Sequence, residues 1–170
     1  KFLIATEGSS DTHILKRAIC EICPSISDFF SFIDVSERHP FSGAGSLAKF
    51  AEGLVKIDVQ NRILFLLDND AEGKSSLRKI QTLELPKNMR AIALPDIEAF
   101  ISFATIGPDG EREADINGRA AAIECYLDLA QGGLPKPRVR WSNYKDDVQC
   151  YHGSLEHKER YSKAFFDSSL

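Results

Sequence analysis

The stretch Arg62 to Ser75, RILFLLDNDAEGKS, constrains the chain more than any other. Its apolar run Ile63-Leu64-Phe65-Leu66-Leu67 suits a strand buried on both faces, as in a parallel sheet covered by helices. The run ends in Asp68-Asn69-Asp70-Ala71-Glu72-Gly73, three carboxylates at alternate positions followed by a chain-reversing glycine. Alternation places Asp68, Asp70 and Glu72 on one side wherever the backbone stays extended. Carboxylates crowded at the mouth of an apolar strand repel one another and resist desolvation, so a cation belongs among them. A divalent metal ion is the first candidate.

Other readings of these acids compete. Acids just after a strand commonly form a polar turn and cap a following helix. An EF-hand loop also reads Asp-x-Asp-x-Glu-Gly, but its twelfth position needs a bidentate glutamate and here holds Lys79. A phosphotransferase of the haloacid dehalogenase type places Asp-x-Asp after its first strand, usually with Thr or Val two residues later, where this chain has Glu72.

The flanking chain repeats the pattern. Phe2-Leu3-Ile4-Ala5-Thr6 is a strand-like run ending in Glu7-Gly8, and a helix follows with Ser10 or Asp11 as its N-cap. Phe29 to Val35 reads as a further strand. The loop His39 to Ser46 leads into a helix carrying Leu47, Phe50, Ala51, Leu54 and Val55 on one face. Its Gly43-Ala44-Gly45-Ser46 suits either a phosphate cradle or an ordinary glycine turn with a serine cap. A short helix is expected from Gly73 to about Leu83. Arg90 to Leu94 is another strand, closing in Asp96 and Glu98. The order β-α-β-α-β-α-β predicts a doubly wound α/β domain with a mostly parallel sheet over residues 1–103. Ligands of such sheets bind beyond the carboxyl ends of the strands.

Residues 104–170 read as a C-terminal α/β extension. Thr105 to Gly110 is turn chemistry, and Ala120, Ile123, Leu127 and Ala130 share one face of an expected helix. Arg138-Val139-Arg140-Trp141 alternates like an edge strand, and Leu155 to Phe166 reads as a charged helix. Arg138, Arg140 and Trp141, with Tyr144 and Lys145 behind them, could hold backbone phosphates and a stacked base. An edge strand with a buried tryptophan and solvated arginines is the preferred reading of them.

A net charge of −4, with both signs spread along the chain, offers no basic half, so any nucleic-acid contact must be local or metal-assisted. No run reaches the length of a membrane span. The four cysteines suit a reducing, cytoplasmic compartment. Cys20-x-x-Cys23 has half of a zinc-site spacing, but buried small apolar residues are the preferred reading. His13, His39, His152 and His157 show no ligand spacing. The chain opens directly in a strand-like run without Met, which leads us to expect an N-terminal partner domain in a longer protein.

Glu7-Gly8 after one strand and Asp68-x-Asp70 after a later one resemble the Toprim domain of topoisomerases, bacterial primases and OLD-family nucleases, over roughly residues 1–103. Asp96-x-Glu98 looks like the additional acidic pair of the OLD-type nucleases. ADINGRAAAIE and VRWSNY look like Toprim-bearing proteins that also carry a HEPN-associated N-terminal region. The resemblance implies one or two Mg²⁺ or Mn²⁺ ions held by carboxylates, and phosphodiester chemistry on DNA or RNA. Asp68 and Asp70 would be ligands, and Glu7 a ligand or a general acid/base. Glu72, Asp11, Asp96 and Glu98 would extend the metal set. OLD-type members also use a downstream lysine, for which Lys136, Lys145 and Lys158 are candidates. A role in prokaryotic anti-phage defence follows from the resemblance alone; a homo-oligomer is a separate expectation. Two alternatives stand beside the nuclease: a non-catalytic regulatory module that binds metal and nucleic acid, and a phosphotransferase using Asp68 as nucleophile.

Overall fold

A computed structural model of the chain describes residues 1–33 and 43–168. The expected strand end at Asp34 and Val35, His39, and the loop up to Ser42 lie outside the described residues. The chain is mixed α/β and folds as two compact units, Lys1–Leu67 with Ser76–Ala93, and Asp68–Ser75 with Leu94–Leu170. The acidic segment therefore groups with the later part of the chain. The division expected at residue 103 followed chain order and included no such excursion.

In the first unit, strands β1 (Phe2–Thr6), β2 (Phe30–Phe32), β3 (Arg62–Leu67) and β5 (Met89–Ala93) form a parallel sheet in the order β2-β1-β3-β5. The apolar runs take the central positions because a strand flanked on both sides loses water from its backbone and side chains together. Burial of β3 is stricter on one face than expected: Ile63, Phe65 and Leu67 are buried, whereas Leu64 and Leu66 are half-buried. Ala44, Leu47, Ala48 and Ala51 of helix α2 (Ala44–Lys56) share a core with Phe65 and Leu67. Helix α1 (Ser9–Ile22) starts one turn before the expected cap. Gly8 is the N-cap, and Asp11 sits in the first turn with its Oδ2 accepting the Gly8 amide at 2.8 Å. Cys20, near the end of α1, and Cys23, its C-cap residue, are both exposed, which corrects their reading as buried residues.

In the second unit, β6 (Phe103–Gly107), β7 (Gly110–Ala114), β9 (Val139–Lys145) and β10 (Cys150–Leu155) form a sheet in the order β10-β9-β6-β7. The turn expected over 105–110 is only Pro108-Asp109, the tip of the β6–β7 hairpin, because Thr105–Gly107 belong to β6 and Gly110 opens β7. Strand β9 lies inside the sheet, so the edge-strand expectation for Arg138–Trp141 fails. A two-strand pairing joins β4 (Asn69–Asp70) to β8 (Ala120–Ala121). The helix expected over Ala120–Ala130 is absent. Ala120 and Ala121 hydrogen-bond to the acidic segment as a strand, and a 3-10 turn follows at Ile123–Tyr126. Helical spacing of alanines is a weak preference that this pairing overrides. Phe100, Ile116, Val139, Leu155 and Tyr161 make the core here, Tyr161 coming from helix α4 (Lys158–Asp167). Helix α3 (Ala71–Gln81) begins in the second unit and ends in the first.

Candidate metal and phosphate site

The expected alternation of Asp68, Asp70 and Glu72 survives only as far as Asp70, because α3 already begins at Ala71. Glu72 is thus in a helical first turn, where its charge meets the positive end of the helix dipole. Asp70 stands at the helix entry and does two things with one carboxylate. Its Oδ1 accepts the Gly73 amide at 2.7 Å, which is the capping pattern. Its Oδ2 lies 3.9 Å from His152 Nδ1.

That second oxygen is under strong electrostatic pressure. Asp70 is 8% exposed, and burial raises its carboxyl above the usual range even though the Gly73 amide and His152 pull the other way. His152 Nδ1 is itself buried and has no hydrogen-bond partner. The buried carboxylate thus faces an unsatisfied imidazole nitrogen that is too far away for a direct bond.

Sequence reasoning missed His152 because a bulge sets its direction. Tyr151 pairs with Tyr144 and Gly153 with Trp141, so two residues of β9, Ser142 and Asn143, oppose His152 alone. Such a bulge re-aims a side chain locally, and no residue spacing announces it.

Lys145, at the end of β9, places its Nζ 2.9 Å from Glu72 Oε1. The hydrogen bond from Lys145 holds the Glu72 carboxyl below its usual range, and Glu72 in turn holds the Lys145 ammonium above its own. The other two candidate lysines are elsewhere in this unit: Lys158 approaches Glu124 at 3.9 Å, and Lys136 lines a cleft with Glu111, Arg138 and Glu156. Lys145 is the one that meets the acidic segment.

Asp68 is half-buried, with Oδ1 accepting the Ile123 amide at 2.9 Å. Between the two aspartates, buried Asn69 ties the segment down. Its Nδ2 donates to Asp96 Oδ1 at 2.8 Å and to the Tyr126 hydroxyl at 3.3 Å, and its Oδ1 accepts the Gly118 amide at 2.9 Å. Asp96 thereby joins the acidic segment through an amide. Glu98 is exposed at the start of a 3-10 turn, Glu98–Phe100. In the first unit, Glu7 follows β1 and is half-buried, its carbonyl accepting the Gly43 amide at 3.3 Å. The Asp11 side chain closes the start of α1.

Two of the residues expected to hold nucleic acid are paired with glutamates. Arg138 Nε donates to Glu156 Oε2 at 2.7 Å and its Nη1 to Glu111, while Arg140 Nη2 lies 2.6 Å from Glu156 Oε1. Trp141 packs against Gly153, where an added side chain would meet its Cε3 at only 2.8 Å. Arg138 and Arg140 are thus paired with carboxylates, and Trp141 is packed on one side.

Among the described residues, no three His, Cys, Asp or Glu side chains converge closely enough to hold an ion by themselves. The donors present still suit a hard divalent cation. Mg²⁺ keeps several waters and uses only one or two carboxylates, and an imidazole beside them widens the set towards Mn²⁺. Family models, curated proteins and solved structures were all compared with the chain, and none of them matches it.

Proposed function

We propose that this chain carries out divalent-metal-dependent phosphodiester cleavage on nucleic acid, as a Toprim-like domain of the nuclease type. The observation that carries this reading is the Asp70 carboxylate, buried and raised, with one oxygen capping α3 and the other facing the unpartnered His152. A group so costly to leave charged is accounted for when a cation completes it.

A bound divalent ion supplies Lewis-acid polarisation of a phosphoryl oxygen and a water of lowered pKa. Asp70 Oδ2 would be its direct oxygen donor, with water completing the shell, since no three such side chains converge among the described residues. His152 holds or accepts a proton at Nδ1 beside that carboxylate. Lys145, drawn towards Glu72, provides a fixed positive charge that complements a phosphate dianion and stabilises negative charge developing on it.

The test is calorimetric titration of Mn²⁺ and Mg²⁺ into wild type and Asp70→Ala, with cleavage of single- and double-stranded DNA and RNA assayed on the same samples. Saturable metal binding and metal-dependent cleavage, both lost in Asp70→Ala, are expected. Metal binding without cleavage of any substrate would replace the enzyme by a regulatory module. Absence of metal binding would remove both.

A further inference from the structure

In the second unit, a cavity of about 210 Å³ opens between the β6–β7 hairpin and the β9–β10 pair. Its lining includes Gly107, Arg112, Arg119, Trp141 and Tyr151, with Asp109 as the only acid. Drug-sized ligands need about 300 Å³ or more, so this cavity takes a fragment of the size of one planar base rather than a whole cofactor.

Its charges are available. Neither the Arg112 nor the Arg119 guanidinium has a carboxylate partner among the described residues, in contrast to Arg138 and Arg140, which share Glu156. Both are exposed. Tyr151 is 57% exposed and stands edge-on to Tyr144 across the hairpin, ring centroids 5.2 Å apart, so an aromatic surface borders the cavity on the solvent side. Trp141 forms a wall. A side chain placed at Gly107 would touch its Cδ1 at 3.5 Å, so the indole's five-membered ring is turned to the Gly107 side.

The cavity is also joined to the carboxylate site through main chain. The Arg119 carbonyl accepts the amides of Ala71 and Gly153, the residues directly after Asp70 and His152. The rim arginine is therefore held by the same backbone that positions the carboxylate and the imidazole.

We propose that this cavity is a nucleotide subsite for an unpaired stretch of the substrate, an inference that rests on the phosphodiesterase reading above. One base stacks on Tyr151 with its edge towards Trp141, and Arg112 and Arg119 pair with the flanking phosphates. Stacking on a protein ring requires a base released from its neighbours, which a single strand or an unpaired end supplies and an intact duplex does not. The recognition is of base face and phosphate charge, with no donor array to read sequence.

Trp141 is the chain's single tryptophan, so occupancy has its own optical signal. The experiment titrates a short single-stranded oligonucleotide into the protein in EDTA and follows Trp141 fluorescence, with a duplex of the same sequence and a free mononucleotide as parallel probes. The single strand is expected to change the emission saturably. Arg112→Ala and Arg119→Ala should each weaken it at least about fivefold and lower the slope of log affinity against log salt by about 0.7. Tyr151→Ala should cost about tenfold. The duplex should bind more weakly.

Unchanged emission, insensitivity to all three substitutions, or equal affinity for the duplex would overturn the subsite. A mononucleotide binding as tightly as the oligonucleotide would overturn the strand as its occupant. The two readings fail separately. Without phosphodiesterase activity the EDTA titration still succeeds while no metal restores cleavage, whereas without the subsite cleavage proceeds with Trp141 silent.

Discussion

His152 Nδ1 and Asp70 Oδ2 face each other at 3.9 Å, both buried, neither hydrogen-bonded to the other. The consequence for stability has a definite sign. Burial raises the Asp70 carboxyl in the folded state, so the folded chain binds that proton more tightly than the unfolded chain. The resulting stability is fully present below the unfolded value, about 4, and is lost as pH rises through the higher folded value. Asp70→Asn keeps an oxygen for the Gly73 amide and removes the buried charge. In EDTA at neutral pH it should be more stable than wild type by about 1 kcal/mol, with the gap closing below about pH 4. Added Mn²⁺ should raise the melting temperature of wild type and leave the variant unmoved. Urea denaturation across pH, with and without metal, checks both.

Lys145 and Glu72 form a pair whose value lies in placement. Their side chains are 30% and 49% exposed, so solvent screens the attraction and the pair contributes less than about 1 kcal/mol. The Glu72 share is lost as pH falls through its lowered value, and the Lys145 share as pH rises through its raised one, leaving the pair intact across the neutral range. Lys145→Met should therefore leave the urea midpoint nearly unchanged while lowering metal-dependent cleavage by about 100-fold or more. Parallel unfolding and kinetic measurements would expose a merely structural lysine, since cleavage would then survive.

The parts of this architecture that the sequence showed are those with strong local signals. The apolar runs at Phe2–Thr6, Ile63–Leu67 and Arg90–Ala93 became neighbouring parallel strands, β1 and β3 inside the sheet and β5 at its edge. Acids at strand ends marked Asp68 and Asp70 because nothing in the fold of a strand calls for them. What was hidden depends on distant pairing. Ala120-Ala121 has helical composition yet pairs with Asn69-Asp70, a contact set by tertiary structure alone. The aim of His152 comes from a bulge two residues wide on the opposite strand. Arg138 and Arg140 looked available because Glu156, the residue that claims them, lies on the chain beyond the next strand.

Asn69 sits between two candidate ligands and supports both. It is 7% exposed and serves the Gly118 amide, Asp96 and Tyr126 at once. Asn69→Leu leaves the Gly118 amide buried without an acceptor and should destabilise the second unit by about 2–3 kcal/mol. Asp96 and the Tyr126 hydroxyl would also lose a partner, and burial already pushes that phenol up to about 12. Chemical denaturation followed by Trp141 emission, which reports on this unit, gives the magnitude; a cost below about 0.5 kcal/mol would mean that water replaces the amide.

Gly153 is the position where close packing, not backbone freedom, demands a glycine. A methyl group there would stand 2.8 Å from Trp141 Cε3 and from Val139 Cγ1, and 3.1 Å from the Ala120 methyl. None of these is the free end of a flexible chain. Val139 and Ala120 are fully buried core residues, so the tryptophan ring or the strand must move. Gly153→Ala should cost about 1–3 kcal/mol by overpacking. Because Gly153 follows His152 and donates its amide to the Arg119 carbonyl, the displacement reaches both the imidazole and the rim of the cavity. The variant is expected to shift the Trp141 emission maximum, lower the urea midpoint, and weaken Mn²⁺ binding although it alters no donor atom. Native emission and an unchanged midpoint would show that β10 relaxes by sliding away from β9, in which case metal affinity should stay at the wild-type level.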